Sequence, residues 1–462
     1  MFKRIIAFLI IIAAPAAAAP ASAAEPDFDL TAQAAILVER TTGKQLYEKN
    51  GNKRMYPASM TKILTALVAL DYLKPDEFIV VGAEKSEAPS GSSVASLEIG
   101  ETILMENLLR ALLIPSGNEA GCVIAYNVAL RVNGVPEMEY NSAEVLFSDL
   151  MNKKASELGA TNTHFINPHG FHGDNHYSTA HDIALFSRAL LETPLLRTIV
   201  REKKFEGNSA GSNAPEGAKT VEHVWETHNE LIMDNKEAYY TYADGIKTGF
   251  TDEAGDCLAA SAEKNGVTLI SVVFFSPKPG TWDDSQILFE YGFNNFSFVD
   301  VQRDNESLGQ AAVNNPRLGD PKLMDVLSKG NFTGFYGNDE AARIEREIIY
   351  DQALLKKTEQ QAPLEASVFE PPIDAGQVLG KVNYYLDGQV IYSGEVIAAA
   401  DVCKRTLSSD FRYYLDLARK KFFQTDAVTF FAGGAAILVA LIIILAVRHR
   451  RRKRNQRFTV YR

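Results

Sequence analysis

Pro57-Ala58-Ser59-Met60-Thr61-Lys62 is the stretch around which the chain is organised, and an apolar run from Ile63 to Leu73 follows it. This pattern predicts a serine at the start of a helix and a lysine one turn later on the same face, so that Lys62 Nζ reaches Ser59 Oγ. The free N–H groups and positive dipole of a helix start stabilise negative charge. A desolvated lysine can take the proton of a serine and make it a nucleophile. Taken alone, the pattern is more typical of a helix N-cap with a solvated lysine.

A second polar segment, Ser116-Gly117-Asn118, follows Pro115 between two helical patterns, Met105 to Ile114 and Glu119 to Leu130. A small polar triplet between two helices is typical of an exposed loop that lines a cleft. The same triplet is also ordinary turn chemistry, so it indicates little by itself.

The third segment, Lys247-Thr248-Gly249, lies within Asp244 to Thr251. Asn265-Gly266 separates two strand-like runs farther on and predicts a hairpin, which places the lysine on a strand of an antiparallel sheet. Gly249 allows the backbone to approach a bound ligand closely. Each of the three segments alone is weak evidence of a catalytic site, whereas all three in this order are strong evidence of one.

Other strand and helix signals surround these segments. The residues on either side of Thr41-Thr42-Gly43 predict a hairpin before the Ser59 helix, and Phe78 to Val81 and Ser93 to Ile99 are strand-like. Helical patterns recur at Ala143–Leu158, Ala180–Leu191 and, last, Ser285–Gly292.

Three histidines, His169, His172 and His176, lie in a turn-rich segment that begins at Asn167. Their spacing puts no two of them on one helix face, so a structural loop is a better interpretation than a metal site. Three cysteines are too few for a disulfide scaffold, and neither they nor the histidines form a metal motif. We therefore expect neither a metal nor another cofactor.

The two ends of the chain predict an exported protein held in a membrane. Residues 1–24 have a charged start, an apolar core and small residues at the end, which is typical of a signal peptide. Residues 427–447 carry no charge, and at ~1.5 Å per residue they match a ~30 Å hydrocarbon layer. The basic tail, residues 448–462, predicts a cytoplasmic C-terminus and a catalytic body outside the cytoplasm.

The body between these ends is strongly acidic. The whole chain has a formal charge of −11, and removing the ten basic residues of the two terminal segments lowers it to −21. Such a charge argues against nucleic acid as a partner.

Together, Ser59-Met60-Thr61-Lys62, Ser116-Gly117-Asn118 and Lys247-Thr248-Gly249 resemble the motif set of β-lactamases and penicillin-binding proteins. With His176-Tyr177-Ser178-Thr179-Ala180 and Asp244 to Thr251, the chain is most similar to the serine D-Ala-D-Ala carboxypeptidases, the low-molecular-weight penicillin-binding proteins of the penicillin-binding protein 5 type. The resemblance implies an α/β sandwich of the β-lactamase/transpeptidase class with a helical subdomain, a small β-rich domain and a C-terminal transmembrane helix.

The domain boundaries follow from this resemblance and from composition. We expect a catalytic domain at 25–296, a charged and partly helical connecting region at 297–364, and part of the β-rich domain at 365–405. A juxtamembrane segment at 406–426 precedes the membrane span. The match to the β-rich domain rests on Pro372 to Gln377 and Gly380 to Val402 and is looser.

The resemblance also implies roles for individual residues. Ser59 would attack the carbonyl between two terminal D-alanines of a peptidoglycan stem peptide, with Lys62 as base and Ser116 as proton relay. Asn118 would bind the substrate amide. The terminal carboxylate would be bound by Lys247 and Thr248, beside Gly249. The backbone N–H groups of Ser59 and Phe250 would form the oxyanion hole, and β-lactams would acylate Ser59 stably.

Two departures from the family pattern leave alternatives open. Many members carry a basic residue shortly before the last helix, where this chain has Thr281-Trp282, so a D,D-endopeptidase is an alternative. Residues 131–141 resemble a small insertion near the cleft. A β-lactam-sensing or wall-binding module on the same fold is a further alternative, which the intact nucleophile and base oppose. A class A β-lactamase would need a Glu-x-x-Leu-Asn motif between Asn118 and Lys247, which is absent.

Overall fold

The computed structural model describes residues 26, 28–355, 368–422, 434 and 437–445. The predicted signal peptide and basic tail lie outside these residues, and the predicted span 427–447 is described only at 434 and 437–445. Within the described part of the chain, no helix is both long and apolar enough to cross a bilayer. The described residues divide into two compact units, one within the ranges 1–299 and 335–341 and one within 300–334 and 342–462.

The elements of the first unit alternate between strands and helices. Its strands are β1 (Ala34–Glu39), β2 (Gln45–Lys49), β3 (Phe78–Val80), β4 (Thr102–Leu104), β5 (Lys204–Asn208), β6 (Glu222–Glu226), β7 (Ala243–Thr251), β8 (Gly255–Lys264) and β9 (Val267–Phe274). Its helices are α1 (Thr61–Tyr72), α2 (Met105–Leu113), α3 (Asn118–Asn133), α4 (Tyr140–Glu157), α5 (Ala180–Glu192), α6 (Pro194–Ile199) and α7 (Gly280–Asn295). A 3₁₀ turn, Ala58–Met60, leads directly into α1.

The central sheet of this unit is antiparallel, with strand order β2-β1-β9-β8-β7, so β7 lies at its edge. Successive residues of β1 enter opposite cores, because side chains alternate across a strand. Ile36 packs in the cluster that contains α1 and α5, whereas Leu37 packs in the cluster that contains Phe289 of α7. Burying one such side chain contributes about 1.5–3 kcal/mol. The sheet therefore lies between two helical layers, which confirms the predicted α/β class.

Several predicted elements are confirmed, and one is wrong. The hairpin around residues 41–43 is present, and β8 and β9 join at Asn265-Gly266, where both residues have positive φ. The predicted strand over Ser93–Ile99 is absent, because the carboxylate of Glu119 holds that segment as a loop by accepting hydrogen bonds from Ala95 N and Leu97 N.

The remaining elements of the chain are β10 (Phe296–Gln302), β11 (Ser307–Val313), β12 (Leu323–Lys329), β13 (Phe332–Gly337), α8 (Asn338–Ala341), β14 (Glu345–Tyr350), β15 (Val368–Phe369), β16 (Val378–Leu386), β17 (Gln389–Ala398) and α9 (Leu407–Phe422). The second unit is built on a six-stranded sheet of order β14-β16-β17-β12-β11-β15. The described part of the predicted connecting region, 297–364, consists mostly of strands, with the short helix α8 among them. Its strands pair with those of 365–405 around a shared core that includes Met324, Val382 and Val396.

Candidate active site

Ser59 lies in the 3₁₀ turn before α1 and lines a cavity of about 470 Å³. One helical turn later, Lys62 is completely buried, and its Nζ lies 2.8 Å from Ser59 Oγ. The three-residue spacing places the two groups within hydrogen-bond distance, as predicted from the sequence.

Lys62 Nζ has two further partners, Asn118 Oδ1 at 2.6 Å and the backbone carbonyl oxygen of His169 at 2.8 Å. Both of these oxygens can only accept. A neutral amine has two N–H groups and one lone pair, so the two N–H groups satisfy these acceptors and the lone pair remains for the Ser59 hydroxyl. Burial, and secondly the charge of Lys247, hold the pKa of Lys62 well below its usual range. The arrangement thus favours the form of Lys62 that can act as a base.

The loop between α2 and α3 brings Ser116 and Asn118 to the same cavity. Ser116 is buried and has a left-handed backbone conformation, with φ of 64°. Asn118 is the first residue of α3, and its backbone N–H donates to Ser93 O at 2.8 Å. Because Asn118 Oδ1 accepts from Lys62, its amide nitrogen remains as a donor toward a ligand.

Strand β7 brings the third segment to the cavity. Lys247 is buried and donates to the backbone oxygen of Thr248 at 3.0 Å, and burial lowers its pKa to about 7. Thr248, Gly249 and Phe250 line the cavity. Six of the eight predicted site residues therefore line one cavity, Lys62 lies within hydrogen-bond distance of Ser59, and Lys247 is close enough for its charge to affect Lys62.

Gly249 is the residue that allows β7 to approach Ser59. A Cβ at this position would lie 2.9 Å from Pro57 O and 3.2 Å from Ser59 N, closer than ordinary contact. The N–H of Ser59 and the backbone of β7 are therefore neighbours, which is the arrangement that an oxyanion hole made from Ser59 and Phe250 needs.

The segment from Asn167 to Gly170, predicted from its sequence to be a structural loop, also completes the surroundings of Lys62. Asn167 Oδ1 accepts from Gly170 N at 2.7 Å, and Gly170 has φ of +89°. A Cβ on Gly170 would lie 1.8 Å from Ala58 O, so only glycine fits there. The Asn-Pro-His-Gly sequence is a turn signal that could have directed attention to the His169 carbonyl, which accepts from Lys62.

The histidines of this segment have structural surroundings. His176 lies 2.8 Å from the Thr61 hydroxyl, and burial lowers its pKa to about 3. Burial also holds the pKa of His169 well below its usual range. Within the described residues, no group of three or more histidine, cysteine, aspartate or glutamate side chains could hold a metal ion.

The rim of the cavity carries charges that the motifs do not include. Lys278 lines the cavity close to Thr281 and Trp282, which are both buried. The basic residue expected before the last helix is thus absent at 281, but Lys278, two residues before α7, supplies a cation in the same cavity. None of residues 131–141, the predicted insertion near the cleft, lines it.

The comparisons with known proteins agree with this geometry. The profile of a family described as D-alanyl-D-alanine carboxypeptidase matches residues 19–277. The chain is 29% identical over 418 residues to D-alanyl-D-alanine carboxypeptidase DacF of Bacillus subtilis, covering 87% of this chain and 95% of that protein. It is 29% identical to DacA of Escherichia coli K12, covering 81% of this chain and 84% of that protein. The solved structure of penicillin binding protein 5 from Haemophilus influenzae is 25% identical, with a TM-score of 0.56, and covers 82% of this chain and 99% of that one.

Proposed function

Because the chain belongs to the D-alanyl-D-alanine carboxypeptidase family, we propose that Ser59 is the nucleophile that removes the terminal D-alanine from peptidoglycan stem pentapeptides. The chain is a serine peptidase, and its action on wall peptides is a step of cell-wall maturation. The observation that supports the assignment of Ser59 is the set of acceptors around Lys62, which leaves the amine lone pair for the serine hydroxyl.

In the acylation step, Lys62 takes the proton of Ser59 while Ser59 Oγ attacks the carbonyl carbon of the penultimate D-alanine. The negative charge that develops on the carbonyl oxygen is stabilised by the N–H groups of Ser59 and Phe250. Losing one such donor typically costs ~10²–10³ in rate. The C–N bond then breaks as Ser116 donates its hydroxyl proton to the departing amine of D-alanine and takes in exchange the proton that Lys62 received from Ser59.

The substrate is held at two places. Lys247 and Thr248 bind the terminal carboxylate, and the amide nitrogen of Asn118 donates to a substrate carbonyl. Water then attacks the acyl-enzyme, which releases the shortened peptide and returns the proton to Ser59. A β-lactam follows the same first step, but its leaving group stays attached, so it inhibits by leaving Ser59 acylated.

One assay tests this function against the alternatives. The full chain, purified in detergent, is incubated with a peptide ending in D-Ala-D-Ala and, separately, with a fluorescent penicillin. Release of D-alanine together with a lasting label on Ser59 is the expected result. Rapid turnover of the penicillin would indicate a β-lactamase, and labelling without release of D-alanine would indicate a sensor. Cleavage of a crosslinked dimeric peptide in preference to the pentapeptide would indicate an endopeptidase.

We also propose that the chain is anchored by residues 427–447, with its catalytic body outside the cytoplasm. The proposal is supported by the uncharged stretch, the arginine-rich tail after it and the signal-like residues 1–24. The full chain should remain in the membrane pellet after alkaline extraction, whereas a chain ending at residue 426 should be released. Release of both would contradict the anchor.

A further inference from the structure

Residues 91–97 form a loop, called the cleft loop below, whose first three residues line the catalytic cavity. Most of this loop is exposed, and Ala95 and Leu97 are its only buried residues. A loop with so few buried contacts has little packing energy of its own. Its position therefore depends on the hydrogen bonds that reach these two residues.

One carboxylate accepts hydrogen bonds from the backbone N–H groups of both buried residues. Glu119, the second residue of α3, is 1% exposed. Its Oε1 accepts from Ala95 N at 2.6 Å and from Leu97 N at 3.4 Å. Its other oxygen, Oε2, is buried and has no hydrogen-bond partner among the described residues. Leaving one oxygen of a buried carboxylate unpaired is costly, so stability alone does not explain this residue.

A second side chain holds the carbonyl group of Ala95. Trp225 is a buried residue of β6, and its indole N–H donates to Ala95 O at 2.8 Å. The indole is itself fixed, because it stacks against Phe205 and His223 with ring centroids 4.9 and 4.7 Å away. Ala95 is thus held at its N–H by Glu119 and at its C=O by Trp225.

The cleft loop packs against the segment Ser116-Gly117-Asn118. A Cβ on Gly117 would lie 2.9 Å from Ala95 Cβ and 3.1 Å from Ala95 N, so these two residues are in direct contact. Asn118 N donates to Ser93 O at 2.8 Å, which joins the segment to the loop a second time. Ser116 has φ of 64°, a conformation that is costly for a residue other than glycine and persists only where the surroundings enforce it. The cleft loop supplies such surroundings.

We propose that Glu119 and Trp225 are positioning residues of the reaction, which hold the cleft loop from the two sides of Ala95. The loop in turn fixes Ser116 and Asn118 in the positions from which they act. Neither Glu119 nor Trp225 lines the cavity, so both act through the loop and not on the substrate. The inference rests on the proposed function, because that function assigns the roles of Ser116 and Asn118.

The test follows the labelling of Ser59 by a fluorescent penicillin over a range of penicillin concentrations. The limiting rate reports the chemical step, and the half-saturating concentration reports binding. The full chain in detergent is used throughout, and release of D-alanine from a D-Ala-D-Ala peptide is measured in parallel. Because the carboxylate is bound by Lys247 and Thr248 on β7, loosening the cleft loop should lower the limiting rate and leave the half-saturating concentration close to that of the wild type.

Three variants assign the effect to the hydrogen bonds of the cleft loop. Glu119→Ala removes two of them, and a shift of about 1 Å in the catalytic segment predicts a fall of about 10²-fold in the limiting rate. Glu119→Gln keeps an acceptor oxygen in the same place and should restore most of this rate. Trp225→Phe keeps an aromatic ring but loses the hydrogen bond to Ala95 O, so it should lower the limiting rate by about fivefold.

Glu39→Ala is the matched control. Glu39 is also completely buried, and its carboxylate accepts from the backbone N–H groups of Thr41 at 2.8 Å and Thr42 at 2.6 Å. These residues do not line the cavity. Glu39→Ala should lower the thermal midpoint of unfolding, as Glu119→Ala does, and should leave the limiting rate and the half-saturating concentration unchanged.

The outcomes separate this inference from the proposed function. Wild-type limiting rates in both Glu119→Ala and Trp225→Phe overturn the inference. A Glu119→Gln variant as slow as Glu119→Ala also overturns it, because the charge and not the hydrogen bonds would then matter. If Glu119→Ala does not fold, Glu119→Gln and Trp225→Phe still decide. Absence of D-alanine release from the wild-type chain overturns the function, while its penicillin labelling still tests the positioning roles, and a wild-type chain that is not labelled overturns both.

Discussion

Replacing Gly249 by alanine should slow acylation of Ser59 without unfolding the protein. The added Cβ would lie 2.9 Å from Pro57 O, about half an ångström short of ordinary contact. The strand must move away from Ser59 by a similar distance. Because a 1 Å misplacement can cost about 10²-fold in rate, a shift of half that size predicts a loss of about tenfold, or ~1.4 kcal/mol of transition-state stabilisation.

The measurement is the second-order rate constant for labelling by a fluorescent penicillin, together with the thermal midpoint of unfolding. Gly207→Ala is the matched control, because Gly207 also lies on a strand, β5, and an added Cβ would meet the Phe205 ring at 3.5 Å, an ordinary contact. This control should label at the wild-type rate. Both variants should unfold within a few degrees of the wild type, since a loss of 1 kcal/mol shifts the midpoint of a domain of this size by about 2–4 °C.

A wild-type rate in Gly249→Ala would refute the reasoning, because β7 would then not need to lie so close to Ser59. A large fall in the thermal midpoint would also contradict it, since the alanine would then act on the fold and not on the geometry of the oxyanion hole.

Three further predictions concern the lysines of the cavity. Lys62→Met should reduce the rate of penicillin labelling by ~10²–10⁴, which is the usual contribution of a general base. It should also lower the thermal midpoint, because two buried acceptors lose their donor. An unchanged labelling rate would exclude Lys62 as the base. Because Lys247 has a pKa of about 7, its charge is present below pH 7 and lost above it. Competition by a D-Ala-D-Ala peptide against penicillin labelling should therefore weaken about tenfold per pH unit above 7. The same peptide with a C-terminal amide should show no such trend. If competition by the acid and by the amide depended on pH in the same way, the role of Lys247 would be contradicted. Lys278→Ala should raise KM for the free-carboxylate peptide by up to about fivefold with kcat unchanged. An increase of equal size in KM for the amide would show that Lys278 does not act on the terminal carboxylate.

The site was largely predictable from the sequence because its chemistry depends on short local patterns. A serine and a lysine three residues apart on a helix must share a face, and an Asn-Gly turn fixes which strands pair next to Lys247. Those two local rules place Ser59, Lys62 and Lys247 on their elements, and the order of the motifs then identifies the family.

The remaining features depend on contacts between residues far apart in the chain, which local patterns do not encode. Ser93 to Ile99 has the composition of a strand, but the buried carboxylate of Glu119 binds its backbone N–H groups and keeps it a loop. The carbonyl of His169 serves Lys62 only because Gly170 packs against Ala58, a contact across more than one hundred residues. Residues 297–364 look charged and partly helical in sequence, yet β12 and β14 within this region are strands that pair with β17 and β16.

The edge position of β7 has a consequence for resistance to inhibitors. A strand at the border of a sheet presents main-chain donors and acceptors, so an extended ligand can pair with it as an additional strand. A mutation replaces a side chain but leaves the amide of the same residue in place. Escape from an inhibitor held by the backbone of β7 would therefore require displacing the strand itself, and the same displacement would weaken the binding of the natural peptide.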